Sequence, residues 1–342
     1  MAKNTKPLVT VIIPTFNRPE YFKLALESAL NQTYKKIEVI VSDNSTNDET
    51  ENLIQRYLAA DSRIKYFHHK NFSANDNWNF ARSYNNPKAE YVNWLMDDDL
   101  FYPQKIEVML EIYRNNPDVS LVTSMRDYID DDGKIIFKSM KINSTNFSGE
   151  MAGKLVFVMK QDFLIKVDDA GNVEFNQFTP DNYIGGLTNV LIKKKFLRGN
   201  DLCYFDDEKG FYPLADVSTW LQLLRQGNLF YIDEPLSAIR YHSARATYSN
   251  GMSAVVAMCW AKLIKYFWEQ KIFLTKEADK RSAFFNWIKI AAIMFDYAQY
   301  QNYHGEEVVA LEDLNIAMAE ALHNKGEIHL PPSVQAELKK FR

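Results

Sequence analysis

Short apolar runs alternate with amphipathic segments along the first 130 residues. Residues 8–13 form a nearly continuous, β-branched apolar run, the pattern of a strand buried on both faces. Pro14 ends it, and Pro19 suits the first turn of a helix with Phe22, Leu26, Ala29 and Leu30 as its inward stripe. A second buried strand is predicted over 37–41, running into Ser42, Asp43, Asn44 and Ser45. Thr46 and Glu49 have capping-box spacing ahead of a helix carrying Leu53, Ile54, Tyr57 and Leu58. A short strand over 64–67, a helix over 75–84 and a strand over 91–96 follow. Such alternation predicts an α/β fold: a mostly parallel, Rossmann-like sheet flanked by helices on both faces.

Pro103 opens a helix whose buried stripe is Ile106, Met109, Leu110 and Tyr113. A strand is predicted over 119–125 and a hairpin over 128–137, turned at Asp132-Gly133, where Asp130, Asp131 and Asp132 read as a solvated turn. Residues 138–182 give no clear pattern beyond a short helix near 149–159 and a turn over 168–172. Gly185 and Gly186 lead into a strand ending near Ile192, and paired glycines permit close approach of a backbone or a ligand. Asp216 stands just before a helix with Val217, Trp220, Leu221 and Leu224 facing inward and Gly227 as its stop; aspartate is a preferred N-cap. A strand follows over 229–232. From residue 253 the pattern is helical, with one stripe of Val256, Trp260, Leu263, Ile264 and Phe267 and another of Phe284, Ile288, Ala291, Ala292 and Phe295. These stripes suit a helical hairpin on the preceding domain, a homodimer interface, or a surface for a membrane-bound acceptor. Lys262, Lys265, Lys271, Lys280, Arg281 and Lys289 add positive charge that favours the last.

The strand over 91–96 ends abruptly in Asp97, Asp98 and Asp99. Unpaired buried charge is too costly for a strand to continue through them, so they emerge at its carboxyl end, where open α/β sheets bind ligands. Clustered carboxylates suit either a divalent cation shared with a diphosphate or a solvated acidic turn. The polar segments after Ile13, Val41 and Met96 should converge on one edge, bringing Thr15, Asp43 and the three acids near one another. A chain of 342 residues with 46% hydrophobic content can bury a sizeable core. Its net charge of −4 gives no reason to expect nucleic acid as a partner. Cys203 and Cys259 are too few for a zinc site or a disulfide framework and fit a reducing cytoplasm. Residues 1–6 are polar, unlike a signal peptide, and the apolar segments near 255–264 and 288–294 are too short to span a bilayer. The expected location is cytoplasmic, with peripheral contact to the inner face of the membrane compatible with the C-terminal stripes.

The segments VIIPTFNR (11–18), SALNQTY (28–34), EVIVSDNSTND (38–48) and DDDL (97–100) together resemble the family 2 glycosyltransferases of GT-A fold. The resemblance covers roughly the first 130 residues and rests on the set, since no single piece is specific. It implies a catalytic domain over 1–250, with a nucleotide-binding half over 1–100 and an acceptor-binding half over 101–250, followed by a helical C-terminal region over 251–342. It also implies an inverting enzyme that moves a sugar from a nucleotide diphosphate, most often UDP, to an acceptor hydroxyl with the help of Mn²⁺ or Mg²⁺. The acceptor would be a glycan, a lipid-linked glycan or a protein, in bacterial surface glycan or glycoconjugate synthesis.

Carried over residue by residue, the resemblance puts Asp43 on the ring N–H of the nucleobase, with Pro14, Thr15 and Asn17 lining the nucleotide pocket. Asp43 read by itself could equally start a turn. Many relatives carry Asp-x-Asp-Asp with the third letter on the metal; aligned on Leu100 and Pro103, that letter is Asp98. The first letter falls on Met96, which is too soft for a hard cation, and this is a departure. Asp97 is left for ribose or sugar hydroxyls, and Asp99 is the least certain of the three as a metal ligand. Asn75 and Asn79 could face the donor from one helix side, or Asn75 or Asp76 could cap that helix with Trp78 in the core. Gly185 and Gly186 would make room for the donor sugar. Asp216 takes the place of the general base, His242 that of a metal or diphosphate ligand, and Arg245 that of a diphosphate ligand. Two other classes stay open: a sugar nucleotidyltransferase, which usually needs a glycine-rich basic loop absent after residue 13, and a non-catalytic sugar-nucleotide-binding partner protein.

Overall fold

The computed structural model describes residues 6–138, 145–149, 151–152, 165–167, 173–175, 184–197 and 214–242, together with single positions at 263, 266 and 270. The chain divides into two units. The first comprises Met1–Gly149, Ile184–Tyr204 and Thr219–His242, and the second comprises Glu150–Tyr183, Phe205–Ser218 and Ser243–Arg342. Arg245 and, Leu263 apart, the C-terminal stripes, with the homodimer and membrane readings that rest on them, lie outside the described residues.

The first unit is built on a mixed sheet flanked by helices. Its strands are β1 (Leu8–Thr15), β2 (Ile37–Asp43), β3 (Ile64–His68), β4 (Ala89–Trp94), β5 (Leu100–Phe101), β6 (Val119–Ile129), β7 (Ile135–Lys138) and β8 (Thr145–Phe147). In the second unit β9 (Ile165–Val167) and β10 (Val173–Phe175) form a separate antiparallel pair. Two further strands, β11 (Leu191–Lys193) and β12 (Asn228–Arg240), complete the large sheet in the order β3-β2-β1-β4-β11-β6-β12-β5, with β7 beside β6 and β8 beside β12. The half β3-β2-β1-β4 is parallel throughout. Antiparallel β11 joins it to the parallel β6–β12 pair.

Helices cover both faces of the parallel half. Val9, Val11 and Ile13 of β1 pack in one cluster with Phe22 and Leu26 of α1 (Pro19–Leu30), Ile54 of α2 (Glu49–Ala60) and Ile106 of α4 (Lys105–Asn115). Ser42, next in sequence to the cluster member Val41, points the other way. It meets Asn77 of α3 (Ala74–Ser83), with Ser42 Oγ donating to Asn77 Oδ1 at 2.5 Å and Asn77 Nδ2 donating to Ser42 O at 3.0 Å. The period-2 alternation of a strand is what separates these faces.

Local chemistry moved three element boundaries. Thr46 does not cap α2, because its Oγ1 accepts from Asn17 Nδ2 at 3.1 Å; Asn47 Oδ1 instead accepts from Glu49 N at 3.2 Å. Ser73 caps α3 in a box with Asp76, so neither Asn75 nor Asp76 is the cap. Trp78 is half-buried and stacks on the fully buried Trp94 at 4.9 Å. The segment after Gly186 first forms a 3₁₀ turn over Leu187–Asn189 and only then becomes β11. Gly185 has φ +97°, and a Cβ there would sit 2.3 Å from Arg126 Nη1. Around Gly186 a Cβ would meet nothing within 4 Å. The hairpin of β6 and β7 turns as the sequence predicts, with Gly133 at φ +81°.

Candidate functional site

The carboxyl ends of β1, β2 and β4 meet at one edge of the first unit. Thr15 is the register partner of Asp43, and Ile12 that of Trp94. Pairing with β4 ends there, one bond on, where Leu95 N donates to Ile12 O at 2.8 Å. Pro14 lies beyond that point, where its missing N–H costs no ladder bond to β4. The two loops that follow β1 and β2 are then tied together by Asn17. Its φ of +50° lies in the left-handed region that asparagine tolerates. Its backbone N donates to Ser45 Oγ at 2.8 Å and its Oδ1 accepts from Thr46 N at 2.9 Å.

Asp43 is fully buried, and both of its oxygens are engaged. Oδ1 accepts from Ser45 N at 2.7 Å, closing the turn, and Oδ2 accepts from Tyr66 OH at 2.7 Å. Each carboxylate oxygen keeps a second lone pair. Asn75 is exposed on the first turn of α3 and Asn79 is half-buried one turn on, with a buried Oδ1 that has no hydrogen-bond partner.

The three acids after β4 differ sharply in environment. Asp97 and Asp99 are buried, and Asp98 is half-buried. Asp97 Oδ2 accepts from Thr15 Oγ1 at 2.9 Å and from Phe16 N at 3.4 Å. Burial, and then the Asp98 charge beside it, push Asp97 up to about 7 against the opposing pull of Arg18, Thr15 and Phe16. Asp98 Oδ2 stands 3.1 Å from Arg18 Nη1 and 2.9 Å from His242 Nε2. The same Arg18 nitrogen is 3.4 Å from Asp97 Oδ1. Asp99 faces away from that cluster. Its Oδ1 accepts from Arg240 N at 3.0 Å and its Oδ2 from Thr188 Oγ1 at 2.6 Å.

Asp98 and His242 fit a divalent cation. Two atoms bound side by side to one octahedral ion at about 2.1 Å stand about 3 Å apart, close to the observed spacing of carboxylate and imidazole. A carboxylate oxygen with a neutral imidazole is a donor set suited to Mn²⁺. In the structure as it stands, the Arg18 guanidinium and the imidazole surround Asp98 instead. Among the described residues no three His, Cys, Asp or Glu side chains are grouped to hold a metal; ions of the Mg²⁺ type commonly fill the rest of their shell with substrate phosphates and water. Asp99 has both oxygens committed to Arg240 and Thr188, which leaves Asp98 as the acid aimed at the cluster.

Asp216 falls in the second unit, in the first turn of α5 (Ala215–Leu224), where its Oδ1 accepts from Val217 N at 2.7 Å. Val217, Trp220, Leu221 and Leu224 of this helix are buried, as its periodicity requires. Within the first unit Trp220 Nε1 donates to Gly185 O at 2.8 Å and fixes the glycine pair's backbone. Sequence reasoning gave no role to Arg18, Thr188 or Tyr21. Arg18 stood inside a quoted motif, so its place beside the acids was findable; Thr188 carried no signal, because only the fold brings it to Asp99.

Comparison with known proteins adds a consistent picture. Residues 10–169 match the family described as Glycosyl transferase family 2. An uncharacterized glycosyltransferase of Rickettsia bellii is 27% identical over 287 residues, covering 80% of this chain and 37% of that protein. The chain therefore spans little more than a third of that curated relative. The GalNAc(5)-diNAcBac-PP-undecaprenol β-1,3-glucosyltransferase of Campylobacter jejuni is 25% identical over 288 residues, covering 84% of this chain and 82% of the relative. Among solved structures, residues 1–349 of S. aureus TarS in complex with UDP-GlcNAc share the fold, with a TM-score of 0.53 at 13% identity over 94% of this chain and 93% of that one. No helix among the described residues is long and apolar enough to cross a membrane.

Proposed function

We propose, from the match of residues 10–169 to glycosyl transferase family 2, that this chain is an inverting transferase that moves a sugar from a UDP-linked donor to an acceptor hydroxyl. The observation that carries this reading is the pair of Asp98 and His242, 2.9 Å apart at the carboxyl edge of the sheet, beside the buried Asp97. The Campylobacter jejuni relative, a GalNAc(5)-diNAcBac-PP-undecaprenol β-1,3-glucosyltransferase, supports a lipid-linked glycan as the acceptor class.

Thr15 and the backbone after Pro14 line the nucleoside, and Asp43 accepts the base N–H on a lone pair left free by Ser45 and Tyr66. Asn75 and Asn79 face the nucleotide from α3, and Gly186, with open space around it, admits the donor sugar. Asp97 takes a ribose or sugar hydroxyl. A divalent cation, Mn²⁺ or Mg²⁺, held by Asp98 and His242 would neutralise charge on the departing diphosphate. Arg245, which lies outside the described residues, would be a further diphosphate ligand by the family resemblance. The acceptor oxygen bonds to the anomeric carbon as the bond to the diphosphate breaks on the opposite face, and the configuration inverts. Asp216 takes the acceptor's proton in that step, from the first turn of a helix, where a negative charge is favoured.

The test is release of UDP from a panel of UDP-sugars with a lipid-linked acceptor, in Mn²⁺ and in EDTA. Asp98→Ala and Asp216→Asn should each lower transfer by roughly a hundredfold or more, the low end of acid–base effects. Near-normal turnover by Asp216→Asn removes it as the base, and equal rates in Mn²⁺ and EDTA remove the cation.

A further inference from the structure

Arg240 is among the largest fully buried side chains, and it ends β12 two residues before His242. A buried guanidinium usually faces a carboxylate. The side-chain hydrogen bonds of Arg240 go to main-chain carbonyls instead. Nε donates to Asp98 O at 3.0 Å, and Nη1 donates to Asp130 O at 2.6 Å and Asp131 O at 2.8 Å. Its own backbone N donates to Asp99 Oδ1 at 3.0 Å. Bonds of this kind locate backbone rather than charge. They fasten the acidic loop after β4 to the end of β12, and both to the turn between β6 and β7.

Tyr21 of α1 completes the anchor. Its ring lies 4.9 Å from the guanidinium and 5.3 Å from the His242 ring, and its hydroxyl donates to Asp131 Oδ1 at 2.5 Å. The exposed turn that reads in the sequence as a solvated acidic cluster is thus bonded through its backbone and through Asp131 to residues that border the site.

We propose that Arg240 is a positioning residue that holds the Asp98 carboxylate and the His242 imidazole at the spacing of a shared divalent cation, with the β6–β7 turn as its anchor. The contacts that join the acidic loop to residues 240–242 include, in order, the Arg240 amide to Asp99, the guanidinium to Asp98 O, and the imidazole to the Asp98 carboxylate. A divalent cation held by His242 and Asp98 would replace the third. The first two then keep the ligands in place, so little order is lost or gained when the cation arrives. Lysine cannot replace this, since its donors all sit on one nitrogen, whereas Arg240 reaches Asp98 O from Nε and the Asp130 and Asp131 carbonyls from Nη1 of a rigid planar fork. The inference rests on the cation reading of Asp98 and His242.

Calorimetry on the full chain tests it with two probes: UDP in Mn²⁺, and uridine without metal. Groups that orient metal ligands typically govern affinity by about 10–100-fold. Arg240→Lys should weaken Mn²⁺-dependent UDP binding by about tenfold or more while leaving uridine binding unchanged. Tyr21→Phe keeps the ring and loses only the bond to Asp131, so its loss should be smaller and in the same direction. Equal losses for UDP and uridine would show Arg240 to be scaffold only, and wild-type UDP affinity in both variants would overturn the proposal outright. If Arg240→Lys fails to fold, Tyr21→Phe decides alone. UDP binding by the wild type that ignores Mn²⁺ overturns the cation reading itself, and the wild-type measurement separates that failure from a failure of Arg240.

Discussion

Replacing Lys105 by methionine should change how the stability of this protein depends on pH. Lys105 is fully buried at the start of α4, and burial drives its pKa well below the usual lysine range. Its Nζ donates to Asn189 O at 2.8 Å and approaches Met109 S at 3.5 Å, while the Phe101 ring lies 5.1 Å away. One carbonyl does not compensate the desolvation of an ammonium, so the native amine is neutral over much of the range in which the unfolded lysine is charged. The unfolded chain then binds one more proton than the native state, and stability from this group is present above the unfolded value and lost as pH falls toward the native one. Between the depressed native value and about 10.4, wild-type stability should rise relative to Lys105→Met by about 1.4 kcal/mol per pH unit. The substitution also strips Asn189 O of its donor, a pH-independent cost of order 1 kcal/mol that appears in the intercept and not in the slope. Urea unfolding of both proteins at about pH 8 and about pH 9, followed by tryptophan fluorescence, separates the two effects. Parallel stability profiles would refute the reasoning, because they would mean that the ammonium is charged in the native state.

Other expectations concern the acidic loop. Arg18→Met removes a competing positive charge 3.1 Å from Asp98 and 3.4 Å from Asp97. Without nucleotide, Mn²⁺ affinity should therefore rise by up to about fivefold, the worth of a partly exposed ion pair of about 1 kcal/mol. A titration followed by Mn²⁺ electron paramagnetic resonance reads this, and weaker binding would count against a competing role. Asp99→Asn presents an amide where two donors converge, from Arg240 N and Thr188 Oγ1, and should cost about 1–3 kcal/mol in thermal unfolding. An unchanged melting temperature would show that those two bonds contribute nothing.

The strands and helices of the parallel half were legible because each is dictated locally. The continuous apolar run from Val9 to Ile13 has no stable place except inside a sheet, and Phe22, Leu26 and Ala29 at helical spacing have none except against it. The break into Asp97, Asp98 and Asp99 was equally local, since a buried strand cannot absorb three carboxylates, and it marked the sheet edge where Thr15 and Asp43 also emerge. Sequence therefore determined the class of fold and the edge that carries the chemistry. Tertiary structure decided which acid does what. The three aspartates are chemically identical, and only the neighbours brought from residues 15, 18, 188, 240 and 242 make Asp97 a buried acid with a raised pKa, Asp98 the one beside the imidazole, and Asp99 a support. No periodicity or spacing carries that information, because it depends on side-chain contacts between segments 79 or more residues apart.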